Sequence, residues 1–192
     1  MAILAQPWPS HADKPMHHLN TPRLQLRPIE AADAALYARL YGDPVVMDHV
    51  AEPLSAAAAA RAFAAILRQV RHSPPPLRVW ILREPAAAAD VGLLALARSQ
   101  VTAETAELGT MLLGAGQGRG LAAEAQEAVL DHEFRSGSLQ LVWSRHAPAN
   151  HAAAGLMLKL GFARMEAAGN EQRWQMTSAR WRARDRISEG MA

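Results

Sequence analysis

The spacing of apolar residues changes along the chain and predicts an alternation of strands and helices. Leu24 and Leu26 alternate with polar residues and predict a short strand that ends at Pro28. Apolar residues at helical spacing then predict a helix over residues 29–40 and a second helix after Ser55, a residue type that caps helix N-termini. The N-terminal third is therefore predicted to form one strand followed by two helices.

The rest of the chain predicts a sheet with helices inserted between its strands. Three strand-like stretches, separated by turns and Ala-rich linkers, predict an antiparallel meander. A long Ala- and Glu-rich helix, a buried strand, a helix closed by Gly161 and two further strands follow. The predicted strands cover residues 77–82, 91–97, 106–113, 139–144, 162–166 and 173–177, and the predicted helices cover residues 121–134 and 150–160.

Composition adds limits to this picture. The chain has 192 residues, half of them hydrophobic, which fits one domain over residues 21–192 with a flexible or peripheral segment, residues 1–20, before it. The absence of Cys excludes disulfides, thiolate metal sites and a Cys nucleophile. The His spacing suggests no metal site, so no metal is expected. Neither a membrane-spanning run nor a signal-peptide core is present, so we expect a cytoplasmic protein without membrane contact.

A glycine-rich segment between the third strand of the meander and the long helix predicts a phosphate-binding loop. A helix begins with unpaired backbone N–H groups and partial positive charge, and glycine lets the backbone approach a phosphate closely. The segment lacks the Gly-Lys-Ser/Thr ending of a P-loop and the G-x-G-x-x-G spacing of a dinucleotide fold. It does fit the pattern Q/R-x-x-G-x-G/A, over Gln117-Gly118-Arg119-Gly120-Leu121-Ala122.

This hexapeptide resembles the acyl-coenzyme A loop of the GNAT superfamily of N-acetyltransferases. The strand before the loop, the helix start after it and two downstream motifs resemble the same family, namely residues 106–113, Ala123-Glu124-Ala125, Asn150 and Lys159-Leu160-Gly161-Phe162. Two flanking segments are similar to the branch of ribosomal-protein N-terminal (alanine) acetyltransferases, namely Thr21-Pro22-Arg23-Leu24 and Trp174-Gln175-Met176-Thr177. The resemblance covers residues 21–184.

The resemblance implies an α/β fold of the α+β kind. Its central sheet would be mixed and mostly antiparallel, with helices on both faces and a V-shaped opening between strands 106–113 and 139–146. It implies acetyl-coenzyme A (acetyl-CoA) as cosubstrate, transfer of the acetyl group to a protein N-terminus or a small amine, and a monomer or homodimer. The implied binding residues are Met111, Leu112 and Leu113 for the pantetheine arm, Gln117, Gly118, Arg119, Gly120, Leu121 and Ala122 for the pyrophosphate, and Asn150 for the thioester end.

The same resemblance implies where acid–base chemistry would take place. Glu107 and His146, on the two strands that open, are the candidate bases for the amine, and Asn150 is a third catalytic candidate. A backbone N–H near Met111 is expected to stabilise the oxyanion. The chain departs from the family at Met157, where a proton-donating Tyr is common. A second departure is Ala153, at a position where Ser is frequent.

The acceptor pocket is expected between the two N-terminal helices and the turns around them. The candidate lining residues are Tyr37, Tyr41, Met47, Asp48 and His49.

Two other functions compete with acetyl transfer. Met157 and Ala153 motivate a non-catalytic coenzyme A-binding module that acts as a sensor or partner. The Arg-rich stretch of residues 173–186 motivates a nucleic-acid-binding protein, although a net charge of only +2 argues against it. Trp174 and Trp181 within that stretch are expected to be packing residues instead.

Overall fold

The fold is an eight-stranded sheet covered by helices on both faces. The computed structural model describes residues 16–99, 102, 104–166 and 169–189, with side chains up to residue 184. The strands are β1 (Leu19–Asn20), β2 (Gln25–Pro28), β3 (Leu77–Glu84), β4 (Ala89–Arg98), β5 (Thr105–Leu112), β6 (Leu141–His146), β7 (Ala163–Arg164) and β8 (Gln172–Thr177). The helices are α1 (Ala34–Gly42), α2 (Pro44–Met47), α3 (Ala56–Val70), α4 (Leu121–Arg135), α5 (His151–Lys159) and α6 (Ser178–Glu189).

The sheet follows chain order until its last two strands, with the order β1-β2-β3-β4-β5-β6-β8-β7. Each neighbouring pair is antiparallel except β5 and β6, which are parallel. The predicted antiparallel meander is thus confirmed as β3-β4-β5. The parallel pair is joined through α4, as a parallel connection requires a long crossover.

The two strands of the parallel pair separate after a short contact. Their pairing runs only from Thr105 opposite Leu141 to Glu107 opposite Trp143. Beyond that point β5 continues to Leu112 while still paired with β4, and β6 continues to His146 while still paired with β8. The strands therefore open into the V that the family resemblance implies, and Gly109 in the open part of β5 is exposed.

Alternation along β5 divides the core into two clusters. Leu108 and Leu112 belong to the cluster formed with α4, α5 and α6, whereas Met111 packs against the cluster formed with α1 and α3. Successive side chains of a strand point to opposite faces, so the even-numbered residues of β5 face α4 and the odd-numbered ones face α1 and α3. The opening consequently has two chemically different faces.

Some element boundaries agree with the sequence pattern, and three elements were not predicted. Ser55 caps α3 as predicted, since its Oγ accepts a hydrogen bond of 3.3 Å from the N–H of Ala58. The unpredicted elements are α2, α6 and β1. Helix α6 is rich in Arg and lacks a regular apolar stripe, yet Trp181 is buried against Phe134 of α4.

The N-terminal boundary placed at residue 20 stays a prediction. Within the described residues, Leu19 already pairs with Leu26, and the carbonyl of His17 accepts a hydrogen bond of 3.1 Å from the indole of Trp80. In the same part of the chain, no helix combines the length and the apolar character that crossing a bilayer requires.

Candidate active site

The loop before α4 requires glycine at two positions. Gly118 and Gly120 have φ values of 70° and 78°, in the left-handed region that side chains with a Cβ rarely adopt. Gly120 is the residue immediately before α4, and its carbonyl accepts from the N–H of Glu124 at 3.2 Å. The two glycines thus turn the chain so that α4 starts directly at the end of the loop.

Unpaired backbone donors are concentrated at this helix start. The N–H of Gln117 donates to the carbonyl of Gly114 at 3.1 Å. The following N–H groups, of residues 118–123, have no protein acceptor within the described part of the chain. Gly118, Arg119 and Gly120 are exposed. An exposed helix N-terminus with unpaired N–H groups and the positive end of the helix dipole is suited to an anion.

Arg119, the cation that the sequence places in this loop, is held by a carboxylate. Its guanidinium donates to both oxygens of Glu84, at 2.9 and 2.5 Å, and to the carbonyl of Ala115 at 3.2 Å. The hydrogen bond between them raises the pKa of Arg119 and lowers the pKa of Glu84. The positive charge of Arg119 is therefore largely compensated within the protein.

Two other cations, Arg23 and Lys159, lie beside the loop, although no sequence motif connects them with it. A Cβ built on Gly120 would lie 3.6 Å from Nη2 of Arg23 and 4.0 Å from Nζ of Lys159. Arg23 donates to the carbonyl of Arg119 at 2.9 Å and to Glu124 at 2.6 Å. Lys159 is exposed and has no carboxylate partner among the described residues. Lys159 lies near Gly120 because the fold places the end of α5 beside the start of α4.

Glu124 fixes the N-terminal segment to the first turn of α4. It accepts from the hydroxyl of Thr21 at 2.5 Å and from the backbone N–H of Arg23 at 2.9 Å. Burial opposes ionisation of Glu124, but the hydrogen bonds from Thr21 and Arg23 and the charge of Arg23 outweigh it, so the pKa of Glu124 is lowered. The segment Thr21–Arg23, recognised in the sequence only as a family-like opening, is thereby part of the loop's support.

The backbone of β5 offers fewer groups to the opening than the sequence implies. The N–H of Leu113 donates to the carbonyl of Val91 at 2.9 Å. The carbonyl of Met111 also points toward β4, since a Cβ on Gly92 would lie only 2.2 Å from its oxygen. Backbone groups of a strand alternate in direction, so Leu112 and Thr110 face the opening instead. The carbonyl of Leu112 accepts from Nε2 of Gln117 at 2.9 Å.

Asn150 has a structural role and retains free donors. Its Oδ1 accepts from the N–H of Ala153 at 2.9 Å and caps α5. For its amide nitrogen, no acceptor occurs among residues whose side chains are described. The helix cap and a ligand contact are thus compatible.

Glu107 lies at the point where β5 and β6 separate. Its Oε1 accepts from Nε of Arg145 at 2.9 Å, and Arg145 also donates to Glu171 at 2.9 Å. The bond to Glu107 raises the pKa of Arg145. The side chain of Glu107 is half-buried, on the face toward α1 and α3. Oε2 of Glu107 has no partner within the described residues, so one carboxylate oxygen remains available as a proton acceptor.

His146, the second candidate base, uses both of its ring nitrogens. The indole N–H of Trp174 donates to Nε2 at 2.9 Å, and Nδ1 lies 2.9 Å from the carbonyl of Ala147. Since an indole N–H is only a donor, Nε2 carries the lone pair and Nδ1 carries the proton. Accepting a second proton requires breaking the bond with Trp174, so this geometry disfavours His146 as a base.

No tyrosine replaces the missing proton donor at the α5 position. Met157 is buried in the core cluster shared by α4 and α5, and Ala153 supplies only its backbone N–H to Asn150. The two tyrosines lie on α1, where Tyr37 and Tyr41 stack with ring centroids 4.2 Å apart. Burial raises the pKa of both phenols.

A cavity of about 930 Å³ lies between α1, the start of β4 and the residues that follow β5. Its lining includes Leu36 and Arg39 of α1, Asp90 and Val91 of β4, and Leu113. The residues expected to line an acceptor pocket lie elsewhere. Tyr37 packs against Phe63, Met47 is buried, and Asp48 and His49 pair with each other at the surface 3.4 Å apart.

The arginines of the C-terminal stretch bind the protein itself. Arg180 donates to the carbonyl of Gly161 at 2.6 Å, and Arg182 donates to the carbonyl of Phe134 at 3.0 Å. These contacts satisfy carbonyls at the ends of α5 and α4, where positive charge is favourable. Arg184 lies over the ring of Trp181, 4.2 Å from its centroid. The structure thus gives this stretch a packing role and adds nothing to the nucleic-acid hypothesis.

Comparison with known families gives a match over most of the chain. A family model described as an acetyltransferase (GNAT) domain matches residues 23–163. The match includes the loop, both opened strands and α5.

Solved structures with the same fold differ in the acceptors that their descriptions name. Spermidine N-acetyltransferase from Vibrio cholerae, in complex with CoA and spermine, has a TM-score of 0.72 and 19% identity over 84% of this chain and 99% of its own. The ribosomal L7/L12 α-N-protein acetyltransferase RimL, in complex with CoA, has a TM-score of 0.71 and 12% identity, covering 84% and 98%. FdhC, described as a nucleotide-linked sugar GNAT, has a TM-score of 0.74 and 12% identity, covering 90% and 97%.

Proposed function

Because the chain belongs to the GNAT acetyltransferase family, whose cosubstrate is acetyl-CoA, we propose that it transfers an acetyl group to a primary amine. In this proposal the loop residues 117–122 bind the diphosphate and the open edge of β5 binds the pantetheine arm. The observation that carries the proposal is the run of N–H groups from 118 to 123, which have no acceptor in the described protein and lie at the end of the opened strand.

The residues present fit such a cosubstrate. A diphosphate has several acceptor oxygens, and the start of α4 offers backbone donors, the helix dipole and Lys159, with Arg23 nearby in an ion pair with Glu124. Arg119 supports the loop by holding Glu84 instead of supplying a free charge. The backbone groups expected to bind the pantetheine arm are those of Leu112 and Thr110. The N–H of Leu113 is excluded because it is already bonded to the carbonyl of Val91. The amide nitrogen of Asn150 is suited to a carbonyl of the arm.

The chemistry needs a neutral amine and a place for negative charge. Nitrogen attacks the thioester carbonyl carbon, the carbon–sulfur bond breaks, and the amine loses a proton. Glu107 is the favoured proton acceptor because its Oε2 is unpaired among the described residues, whereas His146 is bonded at both nitrogens. The N–H of Leu112 or Thr110, not that of Met111, is the favoured donor to the developing oxyanion.

An amine of low pKa is the acceptor that this site suits best. An α-amino group with a pKa of about 8 is partly neutral near pH 7, whereas deprotonating a Lys side chain with a pKa of about 10.4 at pH 7 costs about 4.6 kcal/mol. Oε1 of Glu107 is bonded to Arg145, so Oε2 is the oxygen left to accept the proton of the amine. We therefore favour a protein N-terminus or a small α-amine, as in the acetyltransferases that act on ribosomal proteins.

A coenzyme A-binding module without transfer activity is the second candidate. The buried Met157 favours it, because no proton donor for the leaving thiolate occurs at that position. A thiol with a pKa of about 8.5 leaves without full protonation, so transfer does not require a donor.

Two measurements on the wild-type protein test the proposal. Calorimetric titration with acetyl-CoA should give saturable binding. Thioester consumption should then rise above background with at least one member of a panel containing peptide N-termini, amino acids, polyamines and amino sugars. Binding without turnover on any amine would favour the binding module, and absence of binding would contradict both candidates.

A further inference from the structure

A polar pair interrupts the apolar contact between β5 and α4. Thr110 and Gln126 face each other there, and Nε2 of Gln126 donates to Oγ1 of Thr110 at 3.0 Å. Most of their neighbours on this face are apolar, including Leu108, Leu112 and Leu121. Such a pair needs a reason, because a buried polar group is costly unless all of its hydrogen bonds are made.

The bonds of this pair are incomplete. Gln126 is only 2% exposed, and its Oε1 has no partner in the part of the chain that the structure describes. If the amide of Gln126 is turned by 180°, its oxygen and nitrogen change places. One of these two atoms is still without a partner among the described residues. With Nε2 as the donor, the hydroxyl of Thr110 accepts, and its own hydrogen is directed elsewhere.

Thr110 lies in the part of β5 that borders the opening. Thr110 lies beyond Glu107, the last residue of β5 that pairs with β6, and its side chain is half-buried next to the exposed Gly109. It is on the α4 face, the same face as the loop at the start of α4 and the Asn150 cap of α5. A ligand that runs from that loop into the opening passes this hydroxyl.

Resting on the proposed function, we propose that Thr110 donates a hydrogen bond to an amide carbonyl of the pantetheine arm and that Gln126 is the positioning residue that orients it. The N–H of Gln126 occupies one lone pair of Oγ1, and the hydroxyl hydrogen is left to be donated to the ligand. The contact is made equally before and during transfer, since the amide of the arm does not react. Its loss therefore appears first as weaker binding of the cosubstrate.

Calorimetric titration of variants with two ligands tests the contact. The ligands are CoA and 3′-phosphoadenosine 5′-diphosphate, which keeps the diphosphate but lacks the arm. Thr110→Val should weaken CoA binding about 3- to 10-fold, as expected for one neutral hydrogen bond, and leave binding of the armless nucleotide unchanged. Thr110→Ser should retain wild-type affinity for CoA. Thr105→Val, the same substitution in the paired part of β5, is the matched control and should change neither affinity.

A double-mutant cycle tests the role of Gln126. Gln126→Leu should weaken CoA binding about 2- to 5-fold, and the double variant should bind no more weakly than Thr110→Val alone, because Gln126 acts through Thr110. Additive losses would overturn the positioning role. Wild-type affinity for CoA in Thr110→Val would overturn the contact itself. Failure of the proposed function is distinguishable, because the wild-type protein would then bind no CoA.

Discussion

Two groups of residues flank the open part of β5, and they differ in how they are built. On the α4 side, the candidate ligand groups are mainly backbone N–H groups after Gly118 and Gly120, and they lack protein partners within the described residues. On the α1 side and along β6, the candidate groups are side chains that already have partners, Glu107 with Arg145 and His146 with Trp174. The proposed cosubstrate site therefore consists mainly of backbone donors that need no rearrangement, whereas the proposed amine site consists of side chains that must share or break existing contacts.

The largest expected effect lies on the amine side. Glu107→Gln should lower the turnover rate about 100-fold, because general-base catalysis contributes at least that much, and should leave the affinity for acetyl-CoA unchanged. Steady-state kinetics with the amine found in the panel measures both quantities. Glu171→Gln removes the other carboxylate that binds Arg145 and is the matched control, with a rate near that of wild type. Equal rates for Glu107→Gln and wild type would remove Glu107 as the base.

On the α4 side, the expected effect is a loss of affinity. Gly120→Val places a branched side chain on a backbone with φ of 78°, which costs about 1–3 kcal/mol or shifts the N–H groups of the loop. Acetyl-CoA binding should therefore weaken about 10- to 100-fold. Gly137 has φ of 72° and open space around it at the other end of α4. Gly137→Val should therefore lose similar stability without losing affinity. Equal affinities in the two variants would contradict the role of the loop.

His146 offers a test in which stability changes and rate does not. Replacement by Phe removes the acceptor of the buried indole N–H of Trp174, so the free energy of unfolding should fall by about 1–3 kcal/mol. The rate per folded molecule should stay within about threefold of wild type, because both ring nitrogens are already engaged. Denaturant unfolding and steady-state kinetics measure the two effects. His72→Phe, at an exposed position, is the control for adding an aromatic ring. A rate loss of a hundredfold would restore His146 as a base.

The smallest effect concerns the pH dependence of stability. The pKa of Glu124 is lowered in the folded state, so its ionised form stabilises the fold above the ordinary Glu pKa of about 4.3, and this contribution is lost as the pH falls through the folded value. Glu124→Gln should therefore lower the free energy of unfolding by less than about 1 kcal/mol at neutral pH. It should also reduce the change in this free energy between pH 5 and pH 3. Glu127→Gln, at a more exposed ion pair on α4, should leave the slope nearly unchanged.

The difference between the two sides also explains what the sequence could predict. Glycines reveal where a backbone must turn, so the loop and the start of α4 followed from Gly118 and Gly120, whereas the opening between β5 and β6 was implied only by the family resemblance. Side-chain partners depend on residues distant in sequence, such as Arg145 with Glu107 or Lys159 beside Gly120, and no local pattern specifies them. Helix α6 escaped prediction because it has no regular apolar stripe, and two of its arginines, Arg180 and Arg182, donate to carbonyls of Gly161 and Phe134.

In the proposed complex with CoA, the N–H groups of residues 118–123 gain acceptors that they lack in the described protein. Amide chemical shifts report this change directly. In a ¹H–¹⁵N titration with CoA, the N–H signals of residues 118–123 should move most, while that of Gln117, already bonded to Gly114, moves less. Pantetheine, which lacks the diphosphate, should leave these signals in place. Saturable CoA binding with unmoved 118–123 signals would contradict the central claim.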